Sequence, residues 1–224
     1  ARKLNAGFEL GLFSRVMIQA DYFEEVRSNI YMKWDYIPET MGLTAGISSN
    51  IGEARSQGID ASVDYQHAFS NGLWFTYATS EVIKNGEPNY DYDYLSRIGY
   101  PINQEWGYAA QRLFVDESEV TNSPGQFDGS YLAGDIKYVD INEDGRVDEL
   151  DRVPIGYPTV PEIVYGFGAS MGYKSFDFSF FFQGIARESF FINTGDIAPF
   201  VDERNALQII ADDHWSDDNP DPYA

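Results

Sequence analysis

Apolar and polar side chains alternate along this chain with a period of two, and that restricts it to β-sheet more firmly than any other feature. In "GIDASVDYQHAF" (58–69), Ile59, Ala61, Val63, Tyr65, His67 and Phe69 point one way, and Asp60, Ser62, Asp64 and Gln66 the other. Only a strand sorts side chains so. "SNG" at 70–72 supplies turn chemistry, since Asn-Gly tolerates the positive φ of short hairpins, and "LWFTYATSEV" follows as a returning strand. Two more hairpins follow the same plan. "LNAGFELGLF" meets "VMIQADYFEE" across Ser14–Arg15, with Leu4, Phe8, Leu10 and Leu12 on one face of the first strand and Val16, Ile18, Ala20 and Tyr22 on one face of the second. "IVYGFGASMGY" meets "FDFSFFFQG" across Lys174–Ser175, with Ile163, Tyr165, Phe167, Ala169, Met171 and Tyr173 opposite Gly166, Gly168, Ser170 and Gly172.

The turns within hairpins are short, and the links between hairpins are long. One link covers roughly 32–50 and holds Pro38, a second runs from about 84 to 162, and a third begins after Arg187. Short turns on one rim and long loops on the other are the habit of outer-membrane β-barrels, whose strands turn apolar residues to lipid and small or polar ones to the lumen. A soluble β-sandwich also alternates and also buries one face. The pattern alone leaves barrel and sandwich both standing.

Charge narrows the partners. The 224 residues carry 15 Lys and Arg against 36 Asp and Glu, a net of −21, which argues against nucleic acid. From Asp116 to Asp151 there are eleven acids against Lys137 and Arg146, a net of −9; from Asp196 to Asp221, eight acids stand against Arg204, a net of −7. Two acidic segments hang on a nearly neutral framework. The chain has no cysteine, hence neither disulfide nor thiolate metal site. No apolar run of about 18 residues suggests a membrane helix. A signal peptide and an initiator methionine are both missing, so the chain reads as a piece of something longer.

Within the first acidic segment, "DINEDGRVDELD" (140–151) places oxygen donors at positions one, three, five, nine and twelve, with glycine at six. That is the rhythm of a calcium loop, in which position seven donates a backbone carbonyl. The expected ligands are Asp140, Asn142, Asp144, the Arg146 carbonyl, Asp148 and Asp151. Ca²⁺ suits them best and Mg²⁺ less well. Asp151 is one methylene shorter than the usual bidentate glutamate. The plainer reading is an acidic turn, because Asp, Asn and Gly also make turns. A bound ion here would be structural, fixing a loop that has little core of its own.

Other candidates carry less. "NYDYDYL" (89–95) sets aromatic rings beside carboxylates, as sugar-binding surfaces do, but interfacial aromatics on a strand extending past a membrane explain it more simply. His67 falls among outward apolar residues, and His214 lies in an acidic stretch. With two histidines, no cysteine and no nucleophile motif nothing supports a hydrolase, no enzyme is expected, and paired carboxylates carry almost no information in so acidic a chain. "GFGASMG" (166–172) lacks the strand-to-helix setting of a phosphate loop and reads as small lumen-facing residues.

Taken together these motifs resemble the C-terminal barrel region of SusC/RagA-type TonB-dependent outer-membrane transporters. "NAGFELGLFSRVMIQADYFEEVRSNI" is similar to a strand pair of that family, and "NIGEARSQGIDASVDY" to the approach to the next hairpin, with Gln57 and Asp60 in place of the usual asparagine and glutamate. The block 134–184 matches most closely: an acidic loop, Asp151-Arg152, Ile155-Gly156, a Gly-Phe strand and a Phe-rich strand ending in Gln183-Gly184. "HWSDDNPDPYA" is similar to a late loop of the family.

The resemblance implies an all-β fold, an antiparallel transmembrane β-barrel of roughly 22 strands of which residues 1–224 are a part. Residues 84–162 would form a long extracellular loop segment holding the calcium-like loop. It further implies uptake of oligosaccharides, and of peptides in some members, across the cell outer membrane. The expected partners are a SusD-like surface lipoprotein, the surrounding outer-membrane lipid, and TonB, reached through a plug that is not in this chain. The alternative is a secreted soluble β-domain whose calcium loop steadies a carbohydrate-binding or adhesive surface. Exposure of Phe8, Val63, Phe167 and Phe180 separates the two: an open apolar band means lipid, and a packed second sheet means a sandwich.

Overall fold

A computed structural model describes residues 1–34, 47–66, 69–88, 90–127 and 129–223. The chain divides into two compact units, 1–105 with 156–189, and 106–155 with 190–224.

The first unit is one six-stranded antiparallel sheet. Its strands are β1 (Arg2–Leu12), β2 (Val16–Trp34), β3 (Ile47–Gln66), β4 (Phe69–Lys84), β5 (Ile163–Tyr173) and β6 (Phe176–Ala186), hydrogen-bonded in that order. Register turns the sequence alternation into two faces. Leu10 pairs with Ile18, Ile18 with Val63, Val63 with Leu73, Leu73 with Phe167 and Phe167 with Phe182, an apolar row across all six strands. One residue along each strand, the row reads Glu9, Gln19, Ser62, Trp74, Gly166 and Gln183. A one-residue slip at any pairing would mix the two faces, which is why the pattern specifies the register so strongly.

The apolar face is open. Phe8 is 58 % exposed, Val63 39 %, Phe167 43 % and Phe180 40 %. Among the described residues only Phe114 and Val147 are fully buried apolar side chains, and both lie in the other unit. The sheet therefore has no sandwich core of its own, and so large an apolar patch needs lipid against it. β1, β5 and β6 have 11 residues each, about what a tilted strand needs to cross a bilayer. β2, β3 and β4, with 19, 20 and 16 residues, continue well past that length. The change of medium is visible in the outer rows. Tyr22, Ile59 and Tyr77 form an aromatic-edged row, and the next is Glu24, Gln57 and Thr79. Just beyond, Arg55 sits 3.6 Å from Glu24 and 3.0 Å from Glu81. Ion pairs of this kind belong in water, and tyrosines mark the boundary.

Turn chemistry follows expectation at two sites and departs from it at a third. Phe13 and Ser14 both take positive φ (54° and 53°), and the Arg15 N–H donates to the Leu12 carbonyl at 3.0 Å. Lys174 (φ 57°) and Ser175 join β5 to β6. The expected Asn71–Gly72 turn is not a turn. Asn71 pairs with Tyr65 on one side and Ala169 on the other, and Gly72 with Asp64 and Gly168, so both sit inside β4. Residues 70–72 pair with both neighbouring strands, and this outweighs a local dipeptide preference of the kind that decides isolated hairpins. His67 falls outside the described residues, as do Pro38 and most of the 32–50 link. The expected strand through 89–95 is also absent: residues 93–95 form a 3-10 turn instead.

The second unit is built on short pairings around a small core. Ala110–Leu113 runs antiparallel to Ile136–Tyr138, and Gly125–Gln126 parallel to Arg146–Val147. Phe114 stacks on Tyr131 at 5.5 Å between ring centroids. The buried Gln126 side chain donates to the Ile136 carbonyl at 2.9 Å and accepts from the Tyr138 N–H at 2.6 Å. Asp116 caps the short helix α1 (Glu117–Asn122), accepting from the Glu119 N–H at 2.7 Å. Gly134 (φ 88°) lies under Trp215, where a β-carbon would come within 2.6 Å of the ring.

Candidate functional site

The calcium-like segment closes on itself by hydrogen bonds. Asp140 accepts from the Gly145 N–H at 2.8 Å, across a turn that Gly145 makes at φ 91°. Asn142 accepts from the Asp144 N–H at 3.0 Å, and Asp144 from the Arg146 N–H at 2.9 Å. Asp148 caps the 3-10 turn Glu149–Asp151, accepting from the Leu150 N–H at 2.9 Å. Asp151 is fully buried; its Oδ1 accepts from Ile141 (2.7 Å) and Asn142 (3.3 Å), and its Oδ2 from Asp148 (2.7 Å).

Two consequences bear on metal binding. A carboxylate offers about four acceptor positions, and Asp151 has filled three of them with backbone donors. A bidentate grip by Asp151 is therefore not open, and Asp151 acts as the brace that ties the loop's two ends. Asp140 is different: its Oδ1 is buried and has no hydrogen-bond partner. Among the described residues, no three Asp, Glu, His or Cys side chains gather closely enough to cage an ion by themselves. The expected ligands are thus brought into one closed turn, in which Asn142, Asp144 and Asp148 each accept one backbone N–H, Asp151 accepts three, and one oxygen of Asp140 is left over.

An ion network beside the loop was not evident in the sequence. Glu119 binds Arg112 and Lys137, at 2.8 Å from the Lys137 Nζ, and accepts from the Val115 N–H at 3.0 Å. The Lys137 ammonium, together with the Val115 N–H and the Arg112 guanidinium, holds the Glu119 pKa down to about 2. No spacing rule marks these residues, because residue 137 reaches 119 only through the pairing of Ile136–Tyr138 with Ala110–Leu113.

The polar face of the sheet is the other candidate. Asp21 and Asp60 are directly opposed, with Gly7 and Thr76 as their neighbours in the row. Gln19 donates to Asp21 at 3.0 Å. Glu9, Asp64 and Asp177 share this face by register, giving an acidic wall with Trp74 set into it.

An open antiparallel sheet with one lipid-suited face, one acidic face and one short-turn rim defines a segment of outer-membrane β-barrel wall. The comparisons agree. No protein-family model matches the chain. It is similar to the TonB-dependent receptor P26 of Formosa agariphila, 23 % identical over 241 residues, covering 97 % of this chain and 23 % of that protein. Two structures of the RagAB peptide transporter, one of them in the open-open state, superpose with a TM-score of 0.67 at 17 % identity, over 99 % of this chain and 25 % of theirs. The closed-closed state gives 0.54 at 18 % identity over 83 % of the chain. The chain spans about a quarter of the length of the proteins it matches. The likeness shows the fold: a stretch of antiparallel wall like that of the RagAB transporter barrel.

Proposed function

We propose that this chain forms part of the wall of a TonB-energised importer of large nutrients, oligosaccharides or peptides, working with a SusD-like surface lipoprotein. The apolar row from Leu10 to Phe182, backed by a polar row from Glu9 to Gln183, carries the reading, because it needs lipid on one side and a water-filled passage on the other. One similar protein is named a receptor and others a peptide importer, which supports uptake and supplies no enzyme. On this reading the turns at 13–15 and 174–175 face the periplasm, and the segment from Asp116 to Asp151 is an extracellular loop. TonB acts through a plug elsewhere in the full protein.

The segment 140–151 then serves as a calcium-stabilised surface loop. Asp140, Asn142, Asp144, the Arg146 carbonyl and Asp148 would hold the ion, with Asp151 bracing the turn. When bound, the ion supplies charge neutralisation and rigidity, with no part in bond making.

Growth tests the import reading. A strain lacking the full-length gene should lose growth on an oligosaccharide or peptide mixture as sole carbon source, as should a strain lacking TonB. Both should grow normally on the monomers. Undiminished growth of the deletion strain on every oligomer supplied would overturn it.

A further inference from the structure

At the rim away from the short turns, the end of β2 and the excursion that follows β4 line a half-open cavity of about 380 Å³. Trp34 comes from the last position of β2, and Tyr90, Tyr92 and Asp93 from the excursion. The excursion is firmly held. A β-carbon on the buried Gly86 would stand 2.4 Å from the Lys33 carbonyl oxygen and 3.1 Å from the Trp34 Cα, so the chain runs hard against β2 there. Its far end returns to β4, the Gly99 N–H donating to the Val82 carbonyl (2.7 Å) and the Ile102 N–H to the Ser80 carbonyl (3.1 Å). Both ends are pinned, so the cavity is preformed.

Its chemistry is one-sided. Three aromatic rings, Trp34, Tyr90 and Tyr92, line it with the carboxylates Glu87 and Asp93, and among the described residues no lysine, arginine or histidine is present in the lining. Glu87 is locked in place: it accepts from the Ser96 hydroxyl, from Asn85 Nδ2 at 2.8 Å and from the Arg97 N–H at 3.1 Å. Tyr92 stacks on Tyr94 at 5.4 Å. Neutral hydroxyls require no excess of negative charge around them. A cation gains from the Glu87 and Asp93 carboxylates and from the faces of Trp34, Tyr90 and Tyr92.

We propose that this cavity is a binding site for a cationic group, the ammonium or guanidinium of a basic peptide. The proposal rests on the importer reading above and names one substrate class for it. Peptides carrying lysine or arginine would be captured at the loop rim before entering the barrel, with Asp93 as the accessible counter-charge and Trp34 as the ring platform.

The test is titration of the full-length protein in detergent, followed by calorimetry, with trilysine, triglycine and maltohexaose as probes. Trilysine should bind about tenfold more tightly than triglycine, and about 0.5 M salt should narrow that gap. Asp93→Asn should remove most of the preference, and so should Trp34→Leu, while Trp34→Phe retains part of it. Because the chain carries many other acids, it is the Asp93→Asn result that assigns the effect to this cavity. Equal binding of trilysine and triglycine overturns the proposal. So does maltohexaose binding that Trp34→Leu abolishes, which would make the cavity a sugar site. Uptake by wild-type cells is measured in parallel. Import without a trilysine preference removes the cation site alone, and loss of import removes the transporter reading whatever the titration shows.

Discussion

Trp74 lies so close over Gly166 that a β-carbon on the glycine would fall 2.4 Å from the indole Nε1. The two are cross-strand partners on the polar face, and the large ring fits because its partner has no side chain. Gly166→Val should therefore displace the ring and destabilise the folded barrel by about 1–3 kcal/mol. Trp74→Ala in the same protein should recover most of that loss, since the clash disappears with the ring. Urea unfolding of the four members of this cycle checks the coupling. Additive losses would mean that the glycine is needed for its backbone alone.

The two faces make a second prediction. Ile59, Val63, Met171 and Phe178 share the apolar face, and Asp60, Ser62, Ser170 and Asp177 the polar one. Single cysteines at the second set should react with a bulky aqueous reagent in membranes, and those at the first should be protected by lipid. Val63→Arg should cost about 2–4 kcal/mol if the residue lies near mid-bilayer. Equal labelling of the two sets would contradict the lipid assignment.

These faces were legible in the sequence because a period of two leaves little freedom: once Ile59, Val63 and Leu73 must share a side, the register follows. The third turn was not, since Asn71–Gly72 is a strong signal only for a hairpin with no further partner. Here β5 lies alongside and continues the ladder through both residues. The acidic rhythm of 140–151 was visible, but not that Asp151 gives its oxygens to Ile141, Asn142 and Asp148, which depends on the 3-10 turn that buries it. The cavity at Trp34 was hidden for a similar reason. Its walls are some fifty residues apart and meet only because β2, β3 and β4 run beyond the apolar band together.

Orientation gives a third prediction. An epitope inserted beside the exposed Pro124, just after α1, should be reached by antibody on intact cells. Long loops of outer-membrane barrels face outward and short turns inward. Detection only after the outer membrane is permeabilised would reverse the orientation.

Acid should loosen the second unit. The pKa of Glu119 is lowered to about 2 in the folded state, chiefly by Lys137, so ionised Glu119 contributes stability that is complete above its unfolded value near 4.5. That contribution fades as pH falls from there toward 2, by about 1–2 kcal/mol in all once solvent screening is allowed for. Hydrogen-exchange protection around α1, taken relative to the intrinsic exchange rate at each pH, should fall between pH 4.5 and pH 2. Glu119→Gln should exchange faster at neutral pH and lose that part of the pH dependence. An unchanged profile in the variant would assign the acid sensitivity to other carboxylates.

Calcium should govern the loop at 140–151. One oxygen of Asp140 is buried with no partner, while the other receives the Gly145 N–H. An unpaired buried carboxylate oxygen costs free energy that a cation would recover, and Asp144 and Asn142 stand nearby in the same turn. Protease cleavage between residues 135 and 155 should be slow with calcium and fast with chelator. Asp144→Ala should cleave quickly in both, because it loses a ligand and the Arg146 N–H bond together. Asp140→Asn separates the two roles: the amide oxygen can still accept from Gly145, but the charge is gone, so calcium dependence should weaken while the turn persists. Barrel assembly should be unaffected in either variant, because the strands pair among themselves. Equal resistance of the wild-type loop with chelator and with excess calcium would show that the hydrogen bonds through Asp151 hold it unaided, and the acidic-turn reading would stand.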